Sequence, residues 1–230
     1  MRLFFGILIG LLLAVGIAIA AGIHAFGGLG DISERDKSND ITRTIDVSDF
    51  DQIDVAGVYE INVSVGGDFS VVVSGAPSEM ERLEVSVENG RLVLDQDRFN
   101  KSKRRWRDMG LTAEINLPIL EAIDIAGVAD ADVRGVESEN FSVDLSGVGD
   151  LNVSGTCGVF NADVSGVGDL NARDLECRDV DVEVSGIGDA SVYASESVDA
   201  SVNGIGSISV YGSPRNVEKS TTFLSSISVK

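Results

Sequence analysis

SGVGDLNV at 146–153 and SGVGDLNA at 165–172 are two nearly identical octapeptides, and variants lie on both sides: AGVADADV at 126–133, SGIGDASV at 185–192, NGIGSISV at 203–210 and a degraded TFLSSISV at 222–229. The residue at the centre of the phrase is Val128, Val148, Val167, Ile187, Ile205 and then Leu224, recurring after 20, 19, 20, 18 and 19 residues. A self-similar period of this size belongs to a solenoid whose coils stack on one another. The phrase is structural, and no catalytic set travels with it.

Around each phrase the side chains alternate. Phe141, Val143 and Leu145 interleave with Ser142, Asp144 and Ser146, and beyond the turn Leu151 and Val153 interleave with Asn152 and Ser154. A period of two over five or six residues gives a strand with one buried face. The glycines on either side of the central Val or Ile, such as Gly147 and Gly149, mark a corner needing a positive φ or a close backbone approach. The expected fold is all-β: parallel strands stacked coil on coil, with inward Val, Leu, Ile and Phe in columns. Val148, Val167 and Ile187 are assigned to a buried column, so that Val167→Asp would bury an unpaired carboxylate, whereas Asn152→Asp on the outside would do little.

Upstream, from Ile41, the pattern is more irregular. LEVSVENGRLVLDQD at 83–97 holds Asn89-Gly90 between two alternating runs, a strong hairpin signal. PSEMERL at 77–83 is the one helix-compatible piece outside the leader, with Ser78 as its candidate cap. AGVYEINV at 56–63 is a distant seventh copy of the phrase. The terminal FLSSISVK is apolar enough to need cover, from a second copy of the chain or from a segment folded back from the N-terminal half.

The chain has 230 residues, 37 acids against 18 bases and a formal net charge of −19. That balance argues against a nucleic-acid partner, which requires a basic face. With one His and two Cys, a His-based catalytic or metal site is nearly excluded. Arg2 precedes an uncharged apolar stretch over residues 3–23, and DISERDKSND follows at 31–40. Residues 1–25 read as a signal peptide cleaved after Ala20, or as an uncleaved membrane anchor. Residues 26–40 read as a linker and 41–230 as the folded domain. Either reading places that domain outside the cytoplasm: periplasmic, extracellular, or anchored facing outward.

The order of phrases resembles a known family. F-x-x-I-x-V-x-G-x-Y-x-I-x-V at 50–63, V-E-N-G-R-L-V-L at 87–94, I-N-L-P-x-L-x-x-I-x-I-x-G at 115–127 and the serial S-G-x-G-D phrases are similar to the putative auto-transporter adhesin head GIN domain family, over about residues 45–212. The resemblance implies an all-β, β-helical envelope domain with an adhesin-like role. The sequence shows no run of strands for an outer-membrane barrel after the last coil.

Three groups of residues are candidate sites. Asp130, Asp150, Asp169 and Asp189 share one corner of successive coils. Calcium is one reading of them, but the spacing departs from that of glycine-aspartate calcium repeats. The favoured reading is a carboxylate accepting turn N–H groups. Lys101, Lys103, Arg104, Arg105 and Arg107 surround the single tryptophan, Trp106. They form either a loop for an anionic surface or a loop neutralised by the protein's own carboxylates. Cys157 and Cys177 fall at near-equivalent positions of adjacent coils, where strand spacing suits a disulfide in an oxidising compartment.

Acid pairs abound, but on alternating strands they are the ordinary solvated face. Tyr59, Tyr193, Tyr211 and Trp106 are too few for an evident sugar-stacking groove. The sequence therefore reads as a non-catalytic envelope binding or structural module without a cofactor. Its expected partner is an envelope protein or a glycan, with homo-oligomerisation as a further expectation. The competing classes are a carbohydrate-active β-helix enzyme and a membrane-anchored sensor or scaffold.

Overall fold

The computed structural model describes residues 39–96 and 110–230. The leader, most of the linker and the basic segment Lys101–Arg107 with Trp106 lie outside the described residues. Within them the chain runs β1 (Ile41–Ile45), β2 (Gln52–Ala56), β3 (Val58–Val65), β4 (Ser70–Gly75), the single-turn α1 (Pro77–Met80), β5 (Leu83–Glu88), β6 (Arg91–Gln96), β7 (Leu111–Leu117) and β8 (Ala122–Ile125). The long bent strands follow: β9 (Val128–Leu145), β10 (Leu151–Val164), β11 (Leu170–Val184) and β12 (Ile187–Val202), then β13 (Ile205–Tyr211), β14 (Asn216–Thr221) and β15 (Ser225–Val229).

Together these form a β-solenoid of about five turns. Each long strand contributes to one face with its first half, bends, and contributes to a second face with its last half. On the first face β3, β9, β10, β11, β12, β13 and β15 pair in parallel, and on the second β8, β9, β10, β11, β12 and β14 do so. No described helix is long and apolar enough to cross a membrane.

Register makes the columns. Ala131, Leu151, Leu170, Ala190, Ile208 and Ile227 stack in line, as do Ile125, Leu145, Val164, Val184 and Val202. Phe141 and Phe160 stack with ring centroids 5.8 Å apart. Each fully buried aliphatic side chain in such a column contributes about 1.5–3 kcal/mol relative to exposure. The stacking therefore supplies the main stabilisation that the alternation anticipates.

The corner departs from expectation. Val128, Val148, Val167, Ile187 and Ile205 are exposed, from 39% at Val128 to 53% at Ile187, although each sits in register on the one before. Alternation continues through the corner: Leu145, Gly147, Gly149 and Leu151 take the inward slots, and Ser146, Val148 and Asp150 take the outward ones. From Gly147 to Gly206 the inward slots are glycine because the coils touch there through backbone, whereas the first two copies carry Tyr59 and Ala129 in the second slot. A Cβ on Gly147 would come closer than 3.0 Å to the Gly127 carbonyl oxygen, and one on Gly149 as close to that of Ala129. Gly149 also has φ +139°. Val167→Asp would thus place its carboxylate in solvent, not in a core.

At the N-terminal end the hairpin is present. Asn89 and Gly90 both have positive φ, at 52° and 79°, and β5 pairs antiparallel with β6. Strands β7, β4 and β1 extend the first face beyond β3, with β4 antiparallel to both neighbours. Helix α1 starts with Pro77 at its first position and Ala76 as its cap residue, with no side-chain capping bond, so Ser78 does not cap it. No described residue of the N-terminal half pairs with the C-terminal strands. Strands β14 and β15 pair inward with β12 and β13, and Phe223 is 98% exposed.

Cys157 and Cys177 occupy paired positions of β10 and β11 with Cα atoms 4.5 Å apart, and their sulfurs are bonded. A loop of this length stabilises by about 3 kcal/mol in the chain-entropy model. Replacing both cysteines with serine is expected to cost about that much in denaturant unfolding, and thiol labelling of unreduced, unfolded native chain should modify neither. Gly147→Ala is expected to destabilise by about 1–3 kcal/mol through overpacking, whereas Gly67→Ala, with nothing within 4 Å of the added carbon, should be nearly silent. Equal melting temperatures for the two glycine variants would contradict the corner packing.

Candidate binding surface

Regular register turns every outward residue type into a ladder along the solenoid. On the second face Asp54, Asp124, Asp144, Asp163 and Glu183 follow one another coil by coil. Beside them Ser142, Asn161, Asp181 and Asp199 do the same. Like charges at the strand spacing of roughly 4.8 Å repel. Burial against neighbouring side chains raises the carboxyl pKa values of Asp54, Asp144, Asp163 and Asp181 above 3.8, and adjacent carboxylates raise them further. Arg91 offsets part of this at the N-terminal end, where it pairs with Asp124 and donates to Gln52 Oε1 at 2.9 Å. The remainder of the ladder faces solvent as a dense acidic strip.

The corner aspartates behave differently. Asp130 Oδ1 accepts the Asp150 backbone N–H at 3.3 Å, Asp150 accepts that of Asp169 at 3.1 Å, and Asp169 accepts that of Asp189 at 2.8 Å. Asp189 closes the series on the Ser207 N–H and hydroxyl, each at 2.7 Å. Each carboxylate thus ties its own coil to the next. The described residues contain no group of three or more side chains arranged to hold a metal ion.

A third column, at the opposite corner, is built on two of the tyrosines that the sequence reading judged too few for a sugar-stacking groove. Tyr193 and Tyr211 are in register on adjacent coils. The Arg173 guanidinium carbon is 4.5 Å from the Tyr211 ring centroid. Lys230 Nζ lies 4.9 Å from that centroid and donates to the Tyr211 hydroxyl at 3.0 Å, a bond that lowers the phenol pKa. The signal was available: each tyrosine follows the Ser-Val pair of its coil, Ser191-Val192 and Ser209-Val210.

An all-β solenoid bearing unbroken polar ladders defines a class of repetitive, surface-presenting proteins. Residues 49–214 match the model of the putative auto-transporter adhesin head GIN domain, and the chain belongs to that family. Among solved structures it is similar to a putative adhesin from Bacteroides fragilis, at 27% identity over 83% of this chain and 97% of that one, with a TM-score of 0.71. A putative adhesin from Parabacteroides distasonis shares the fold at 17% identity, covering 82% and 97%, with a TM-score of 0.50. A putative lipid binding protein from the same species is 18% identical over 84% and 97%, with a TM-score of 0.49. No curated protein matches the chain.

The acidic strip generates a pH prediction. A carboxyl whose folded pKa is raised binds its proton more tightly in the native state. Its ladder therefore destabilises the fold while ionised, and the penalty fades as pH falls through the raised values towards 3.8. Asp163→Asn is expected to raise the melting temperature at neutral pH and to make no difference well below pH 3.8. Thermal melts of both proteins across that range check it; a variant destabilised at neutral pH would refute the sign.

Proposed function

We propose that the chain is a non-catalytic, adhesin-like module of the cell envelope, exported from the cytoplasm, whose polar faces contact an envelope glycan. The observation that carries this reading is the in-register acidic strip Asp54, Asp124, Asp144, Asp163 and Glu183, which presents one chemistry at a fixed rise along a rigid support. Such a surface suits an extended, hydroxyl-rich ligand better than a small molecule. The Tyr193–Tyr211 column favours a glycan over a protein, since its phenol hydroxyls suit sugar hydroxyls while Arg173 and Lys230, stacked over the Tyr211 ring, supply cations for acidic substituents. Membership of the adhesin head family supports the same reading.

A glycan array probed with the full chain tests the proposal. Binding is expected to weaken at least fivefold in an Asp144→Asn, Asp163→Asn, Glu183→Gln variant or in Tyr193→Ala, and to fall with added salt, as polar surface contacts do. Release of new reducing ends from a bound glycan would overturn the non-catalytic reading. Recovery of the native chain solely in the cytoplasmic fraction would overturn export.

A further inference from the structure

The outward Val and Ile column forms one wall of an open trough of about 780 Å³. Its rungs, Val58, Val128, Val148, Val167 and Ile187, are in register over four interstrand steps, roughly 19 Å in all. The floor is glycine, from Gly57 through Gly127, Gly147 and Gly166 to Gly186, and the facing wall is low, made of Ala126, Ser146 and Ser165. An exposed apolar strip repeated coil after coil marks a contact surface.

The floor has little polar to offer. Val148 N–H donates to Gly127 O, Val167 N–H to Gly147 O, and Ile187 N–H to Gly166 O, at 2.9, 3.0 and 3.0 Å. Gly147, Gly166 and Gly186 donate likewise to residues of the preceding coil. A peptide or sugar chain laid there would lose hydrogen bonds to water and regain few. A hydrocarbon chain has none to lose.

One end of the trough is different. Arg82 and Gln96 line it beside Val58, and both are 3% exposed. Gln96 Oε1 accepts the Val58 N–H at 3.0 Å, while its Nε2 is buried and has no hydrogen-bond partner among the described residues. An orphaned buried donor of this kind demands an explanation. Arg82 donates from Nη1 to Glu79 Oε2 at 3.3 Å in a buried ion pair at the same end, so its charge is already matched by one carboxylate. A narrow apolar track ending at an unpartnered amide donor beside that pair matches an extended single-chain amphiphile with an acceptor oxygen at its head.

We propose that this trough binds a long-chain fatty acid, its tail along the Val and Ile rungs and its carboxylate on Gln96 Nε2 beside Arg82. A second copy of the chain fits less well, because a strip one side chain wide falls far short of the roughly 800 Å² per partner of a standard interface. The site is separate from the acidic and tyrosine ladders, so it stands or falls independently of glycan binding.

The test uses the full chain and a diazirine-bearing long-chain fatty acid, with cross-links mapped by mass spectrometry and an equal amount of the unsubstituted chain as reference. Labelling is expected to concentrate at 126–128, 146–148, 165–167 and 186–187. It should fall at least tenfold against the reference in a Val148→Thr, Val167→Thr, Ile187→Thr variant, whose β-branched side chains keep the strand geometry; an unchanged melting temperature verifies the fold. Unlabelled fatty acid should compete better than the matching alcohol in the native chain, and Gln96→Glu, which keeps an acceptor for Val58 N–H, should abolish that preference. Labelling spread evenly over the solenoid, or unaffected by the threonine variant, overturns the proposal. Chain-to-chain cross-links at the rungs would overturn it in favour of a second copy.

Discussion

The whole solenoid depends on backbone meeting backbone at one corner. Where Gly147 lies on Gly127, and Gly166 on Gly147, the carbonyl of one coil occupies the space that a Cβ of the next would need. This closeness lets the corner N–H groups reach the carbonyls below at 2.9–3.0 Å. It fixes the registers on both faces at once, because each long strand enters one face from the corner and leaves towards the other. The buried columns, the aspartate series and the acidic strip are all consequences of that shared register.

Much of this architecture was legible in the sequence. The period of 18 to 20 residues is a covalent record of coil length, and the alternation around Phe141–Leu145 and Leu151–Val153 states which side chains face in. Asn89-Gly90 gave the hairpin because few pairs tolerate two positive φ values in succession. The facing of the central Val or Ile was misjudged by equating apolar with buried. Counting by twos from Leu145 to Leu151 puts Gly147 and Gly149 inside and Val148 outside, and the same count holds for Val164 to Leu170. Composition competed with parity, and parity prevailed because between Gly147 and Gly206 the corner interior has no volume for a side chain.

The candidate surfaces were less legible for a different reason. The Gln96 amide and Val58 are 38 residues apart, and their meeting depends on the parallel pairing of β2 with β6, which local pattern does not specify. Arg173 and Lys230 meet at Tyr211 only once four coils have stacked. The two acid ladders likewise differ in neighbours, not in residue type. Corner carboxylates find backbone N–H groups one coil on, while those of the second face find chiefly one another.

Because each coil of 18 to 20 residues packs chiefly on its immediate neighbours, the number of coils is a length setting that the rest of the molecule constrains little. Inserting or excising one whole repeat would leave every remaining contact type intact and change the axial dimension by one strand spacing, roughly 4.8 Å. The trough is built on that same axis, so its reach is quantised. Duplication of a single repeat would act as a molecular ruler, lengthening the apolar track in steps while its polar end, fixed by Arg82 and Gln96, stays where it is.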